Sequence, residues 1–126
     1  MKLNLGAGTN WHTDGWHVLD HKVTKKEKYK IYGDLNKIKL KNETCDLIFI
    51  SHTLEHIPHF KIQNVLSEIN RIMKKNATIR ILVPDLEKIA KAYVNKNKSF
   101  FKKAVKEDHT IRQDLGLGGM LMNFIV

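Results

Sequence analysis

A single cysteine, Cys45, stands in the 126 residues, so no internal disulfide can form. A reducing compartment is the natural setting for such a chain, and the sequence is read as cytoplasmic. No apolar segment approaches the roughly 20 residues of a bilayer-spanning helix, so no membrane partner is expected. The opening "MKLNLGAG" has no apolar stretch ahead of a cleavage site and is not read as a signal peptide. Arginine is scarce: Arg71, Arg80 and Arg112 are the only three, and the net charge of +9 is carried mostly by lysine. Readers of bases and phosphates favour the planar, bidentate arginine fork. The lysines are also scattered, from Lys22 to Lys106, with asparagines between them. That pattern suits a solvated surface, so a nucleic-acid partner is not expected.

What is present is an ordinary globular chain. Its hydrophobic content of 42% and its length suit one domain over 1–126 with a real core. There is no internal repeat and no low-complexity tract. "KLNL" (2–5) reads as a short buried strand ending in the turn "GAG". "HVLD" (17–20) and "YKIYGD" (29–34) read as a second and a third strand. In "CDLIFIS" (45–51), Leu47, Ile48, Phe49 and Ile50 run consecutively, as in a strand covered on both faces. From Phe60 the period changes: Ile62, Val65, Leu66, Ile69, Ile72 and Met73 mark one face of an amphipathic helix. "KKNA" ends it, and "TIRILVP" (78–84) is the fifth strand. Asp85 is then an N-cap, with Leu86, Ile89, Ala90, Tyr93 and Val94 on the next helix. "NKNKS" interrupts it, and Phe100, Phe101, Ala104 and Val105 continue as a further helical piece. Strands alternating with helices imply a parallel α/β sheet, in which ligands sit beyond the carboxyl ends of the strands.

The residues at those ends carry the chemistry. After the first strand, Gly6-Ala7-Gly8 lets the backbone turn tightly and approach a ligand without a side chain in the way. After the second, Asp20 is an acid able to accept hydrogen bonds from a ribose diol. After the third, Asp34-Leu35 pairs an acceptor for an exocyclic amine with an apolar neighbour for a ring. After the fourth come Ser51 and His52. Each has a plain alternative, a tight turn or a surface acid; their order along the chain is the signal.

"SHTLEHIP" (51–58) raises a separate question, because His52, Glu55 and His56 spell the signature of inverted zinc peptidases. A zinc site there needs both histidines on one face of a stable helix. Pro58 disfavours helix at Ile57, and the stretch directly follows a buried strand. No metal is expected. Glu55 and His56 are read instead as a capping or loop-fixing pair, Trp11 and Trp16 as a pocket wall or edge packing, and Cys45 as a small buried apolar group.

Taken together, "LNLGAGTNWHTDGWHVLD", "GDL", "CDLIFISHTLEHI" and "RIMKKNATIRILVPDLEKIAKAY" resemble class I S-adenosylmethionine-dependent methyltransferases. The resemblance covers residues 2 to about 94. It is nearest to the small methyltransferases of the type 11 kind, often associated with sugar or polysaccharide modification. It implies a Rossmann-like α/β fold with S-adenosylmethionine as cofactor, bound by Asn4, Gly6, Ala7, Gly8, Asp20, Asp34, Leu35, Ser51 and His52. His52 is the candidate base, with a structural role as the alternative. Two departures stand out. Asn10 occupies the third glycine position over a loop too short for a full first helix. Five parallel strands are expected, the last two of a seven-stranded sheet being absent. The expected activity is methyl transfer to a small-molecule or saccharide-linked acceptor. The rivals are a degenerate or truncated fold serving as a cofactor-binding or interaction module, and an RNA methyltransferase. The apolar tail 118–126 is expected to pack against the sheet or against a second copy in a homodimer.

Overall fold

The computed structural model describes residues 1–24, 27–107, 116–118 and 121. They belong to two compact units, Met1–Val83 and Pro84–Val126, where length alone suggests one domain.

The first unit is a five-stranded sheet. β1 (Lys2–Leu5), β2 (Trp16–Asp20), β3 (Lys30–Tyr32), β4 (Cys45–Ser51) and β5 (Met73–Leu82) lie in the order β3-β2-β1-β4-β5. Every pairing is parallel, with Leu5 opposite both Leu19 and Ile50. The fold is Rossmann-like α/β, as expected. α1 (His59–Ile72) crosses between β4 and β5. It turns Val65, Ile69 and Ile72 onto Leu3, Leu5, Leu19, Ile48 and Ile50, and these apolar side chains form the core. Cys45 is fully buried in that core, and burial pushes its thiol pKa up. It is a packed apolar group rather than a nucleophile.

Three expectations need correction. The periodicity carries α1 through Met73, but the helix ends at Ile72 and Met73 already begins β5. Residues 74–77, "KKNA", which read as the end of the helix, belong to that strand. They form an irregularity in the β4–β5 register, with Asn76 in the left-handed region at φ 64°. The third correction concerns β4, which is not equally buried on its two faces. Ile48 and Ile50 are fully buried, whereas Leu47 and Phe49 are half-buried. The physical reason is the connections. No helix lies in the described residues joining β1 to β2 or β2 to β3, and α1, the α-helix of this unit, packs on the Ile48 face. The other face carries the row Val18, Asn4, Phe49 and Arg80, with the Arg80 guanidinium 6.0 Å from the Phe49 ring centre.

The loop ahead of β4 is fastened to α1 by Arg71. Its guanidinium donates to Glu68, to the carbonyls of Ile38 and Leu40, and to Asn42 Oδ1. Glu68 in turn accepts from the Ile38 N–H at 2.8 Å. These bonds, Arg71 first, bring the Glu68 carboxyl from its ordinary 4.5 down to about 2. A carboxyl depressed in the folded state stabilises it above the unfolded value, and that contribution is lost as pH falls from about 4.5 toward 2. Glu68→Gln is therefore expected to lower the melting temperature by several degrees at pH 7. The gap from the natural chain should narrow as thermal melts are taken down to pH 3. A gap independent of pH would mean the ion pair is not what holds the loop.

In the second unit, Asp85 caps α2 (Leu86–Val94) by accepting from the Lys88 N–H at 3.1 Å. A turn with Lys96 at φ 52° leads into α3 (Lys98–Glu107). Ile89, Ala92 and Phe101 make a small cluster joined by Phe100, Leu117 and Leu121. The expected packing of the tail falls largely on residues 119–120 and 122–126, outside the described residues.

Candidate functional site

The strand order reverses between β1 and β4, so the carboxyl ends of these two strands flank the crevice where such sheets bind ligands. Gly6 continues the β1–β2 ladder, its N–H donating to the Leu19 carbonyl at 2.8 Å. Its φ of 74° suits glycine, and a Cβ there would overlap the Thr53 methyl and hydroxyl. Gly8, at φ 73°, differs: a Cβ would meet nothing within 4 Å. Space over Gly8 is therefore open, while space at Gly6 is filled by the protein. Ala7 between them is half-buried.

Asp20 ends β2 and is only 6% exposed. Its Oδ2 accepts from the Gly8 N–H and its Oδ1 from the Lys22 N–H, both at 2.8 Å. His21 Nδ1 lies 3.6 Å from Oδ1. The acid thus ties the β1 turn to the end of β2 by charge-assisted bonds. Asn4, 3% exposed, lies on β1 two residues before the turn.

β3 hands over to the same region through Gly33, whose N–H donates to the Asp20 carbonyl at 3.3 Å. Asp34 is exposed. Its Oδ1 accepts from both the backbone and the side chain of Asn36, which hold the carboxyl below its ordinary value. Leu35 departs from the expected role. It is 8% exposed and part of the core cluster, so its side chain packs inward rather than standing ready for a ring.

At the end of β4, Ser51 is half-buried and pairs with Leu82. His52 has φ 49°, and its N–H donates to the Leu82 carbonyl at 3.0 Å. Its side chain is 64% exposed, with Nδ1 3.2 Å from Glu55 Oε1. Residues Leu54–His56 form one 3₁₀ turn. The α-helical turn that would align His52 and His56 on one face is not formed in this segment, and Glu55, read from the sequence as a pair with His56, meets His52 instead. Trp11 and Trp16 meet edge to face at 5.9 Å, and His12 lies 4.6 Å from Tyr29, so the loop after the glycines is walled by aromatic rings.

Sequence reasoning passed over Thr53. Its Oγ1 donates toward the carbonyls of Ser51, Leu5 and Gly6, at 3.1–3.4 Å, stapling the glycine turn to the end of β4. A threonine following a strand gives no local sign of partners so distant in the chain. A polar depression of about 550 Å³, lined by Asn42, Arg71, Lys74 and Asn76 among others, lies at the opposite end of β5. Arg71 and Lys74 are already bonded there to Glu68 and Asp46, so the strand ends are the better site.

A family model described as "Methyltransferase domain" matches residues 13–81. The match takes in Asp20, Asp34 and the turn after β4, and leaves Gly6–Gly8 just outside. No curated protein matches the chain. Among the described residues, no helix is long and apolar enough to cross a membrane. A match over more than half of the 126 residues, on a parallel sheet of this order with its acids and glycines at the strand ends, places the chain in the methyltransferase-domain family.

Proposed function

We propose that the chain binds S-adenosylmethionine at the carboxyl ends of β1, β2 and β4 and transfers its methyl group to a small-molecule or saccharide-linked acceptor. The observation that carries this reading is the bond from the Gly8 N–H to the buried Asp20 carboxylate, beside open space over Gly8. It sets an acid for ribose hydroxyls against a turn with no side chain over it. Each Asp20 oxygen accepts one backbone bond and has lone-pair capacity for a second, so the residues fit a nucleoside. Asp34, beyond β3, supplies an exposed acceptor for an exocyclic amine.

When bound, S-adenosylmethionine supplies an electrophilic methyl carbon on a sulfonium. The chain's part is then positional. The Gly6–Gly8 turn and Asp20 hold one end, and Ser51 and His52 border the other. Holding the acceptor in line at contact distance is where most of the rate would come from. His52 stands exposed at the same strand ends, where it can take a proton from an acceptor that must lose one.

Calorimetry with S-adenosylmethionine and S-adenosylhomocysteine tests the reading. The natural chain is expected to bind both. Gly8→Val is expected to lose binding, because the branched side chain fills the open space. The fold should survive with a lower melting temperature, since φ 73° costs a non-glycine residue about 1–3 kcal/mol. Equal affinity in the variant would remove the site assignment.

A further inference from the structure

His52 and Glu55 form a pair whose geometry goes beyond holding a loop. The His52 backbone is fixed in the left-handed region, rare for a residue with a side chain, by its N–H bond to the Leu82 carbonyl. The imidazole therefore projects from a rigid point between the ends of β4 and β5. Glu55 sits beneath it in the 3₁₀ turn, 16% exposed against 64% for His52. One carboxylate oxygen, Oε1, is 3.2 Å from His52 Nδ1. The other, Oε2, is buried and has no hydrogen-bond partner among the described residues. Among the described residues, the partner this carboxylate has is the imidazole. An ionised carboxylate only accepts, so opposite an ionised Glu55 the hydrogen sits on Nδ1 and Nε2 keeps the lone pair.

We propose that Glu55 is a positioning residue that sets His52 as a base acting through Nε2, and that the methyl acceptor is therefore a hydroxyl or a protonated amine. The proposal rests on the cofactor reading above. For a hydroxyl, the acceptor oxygen forms its bond to the methyl carbon as the carbon–sulfur bond breaks. The bonding pair stays on sulfur, which becomes a neutral thioether, and the O–H proton passes to His52 Nε2. The imidazolium so formed is held by the Glu55 carboxylate at Nδ1. An acceptor already anionic needs no such base, and the pair would have no task.

The tautomer of His52 tests the proposal without an acceptor in hand. Long-range proton–nitrogen spectra of the full chain, labelled at histidine nitrogen, are recorded at about pH 9, where histidine is neutral. His52→Asn identifies the signals. The expected result is hydrogen on Nδ1, the reverse of free histidine's preference. Glu55→Ala should move it to Nε2, and Glu55→Gln, whose amide oxygen still accepts, should retain part of the natural preference. Hydrogen on Nε2 in the natural chain overturns the proposal even if Glu55→Ala does not fold. So does an unchanged tautomer in a folded Glu55→Ala chain. Calorimetry on the natural chain separates the two readings: no cofactor binding overturns the site and the acceptor class with it, whereas binding with the wrong tautomer overturns this proposal alone.

Discussion

Gly6→Ala is expected to destabilise the chain by about 2–6 kcal/mol, the sum of two costs that can be separated. An alanine at φ 74° carries backbone strain of about 1–3 kcal/mol. Its Cβ also overlaps Thr53, and overpacking of this kind costs roughly 1–3 kcal/mol. Thr53 cannot simply turn away, because its hydroxyl is bonded to the carbonyls on both sides of the seam. Urea unfolding of Gly6→Ala, Thr53→Ala and the double variant measures the parts. The double variant should recover the overlap cost and keep the strain, giving a coupling of about 1–3 kcal/mol. Strict additivity would show that Thr53 does not pack on the turn. Gly8→Val is the contrast: its space is open, so its main effect falls on binding.

The same turn explains how much of the molecule was legible beforehand. "KLNL" and "CDLIFIS" gave β1 and β4 at their observed bounds because apolar runs of that length between turn signals admit little else. Asp85 marked the start of α2 because a side-chain cap is a local device. The start of β5 was hidden, since Lys74, Lys75 and Asn76 are polar and one of them is left-handed, so neither period applies. Leu35 was ambiguous in kind: an apolar residue after an acid suits a ring or a core equally, and only the packing decides. Thr53 was invisible because its partners lie 47 and 48 residues away.

Asp20→Ala is the second large effect. It removes the charged acceptor for a ligand's hydroxyls, so S-adenosylmethionine affinity should fall by about 1.5–3 kcal/mol, roughly 10- to 150-fold. It also leaves the Gly8 N–H without its carboxylate, which adds a stability loss of about 1–3 kcal/mol. Asp20→Asn separates the two. Its carbonyl can still accept from one backbone N–H, so it should unfold nearer the natural chain while binding as poorly as the alanine variant. Asp14→Ala is the control: Asp14 is fully exposed and precedes β2. Calorimetry paired with urea unfolding checks all three. If Asp14→Ala weakens binding and Asp20→Ala does not, the acid has been assigned to the wrong residue.

The strand order has a kinetic corollary. Lys2 pairs with Trp16 on one side and with Leu47 on the other, and this second pairing encloses more chain than any other in the sheet. Its closure costs the most loop entropy and its contacts are the least local, so it is the seam that contact order places late in folding. The glycine turn meets Thr53 only across that seam. β1, β2 and β3 can pair among themselves over shorter spans of chain, with no helix between them among the described residues. The edge that carries the candidate site is thus assembled from two parts of the chain that are far apart in sequence.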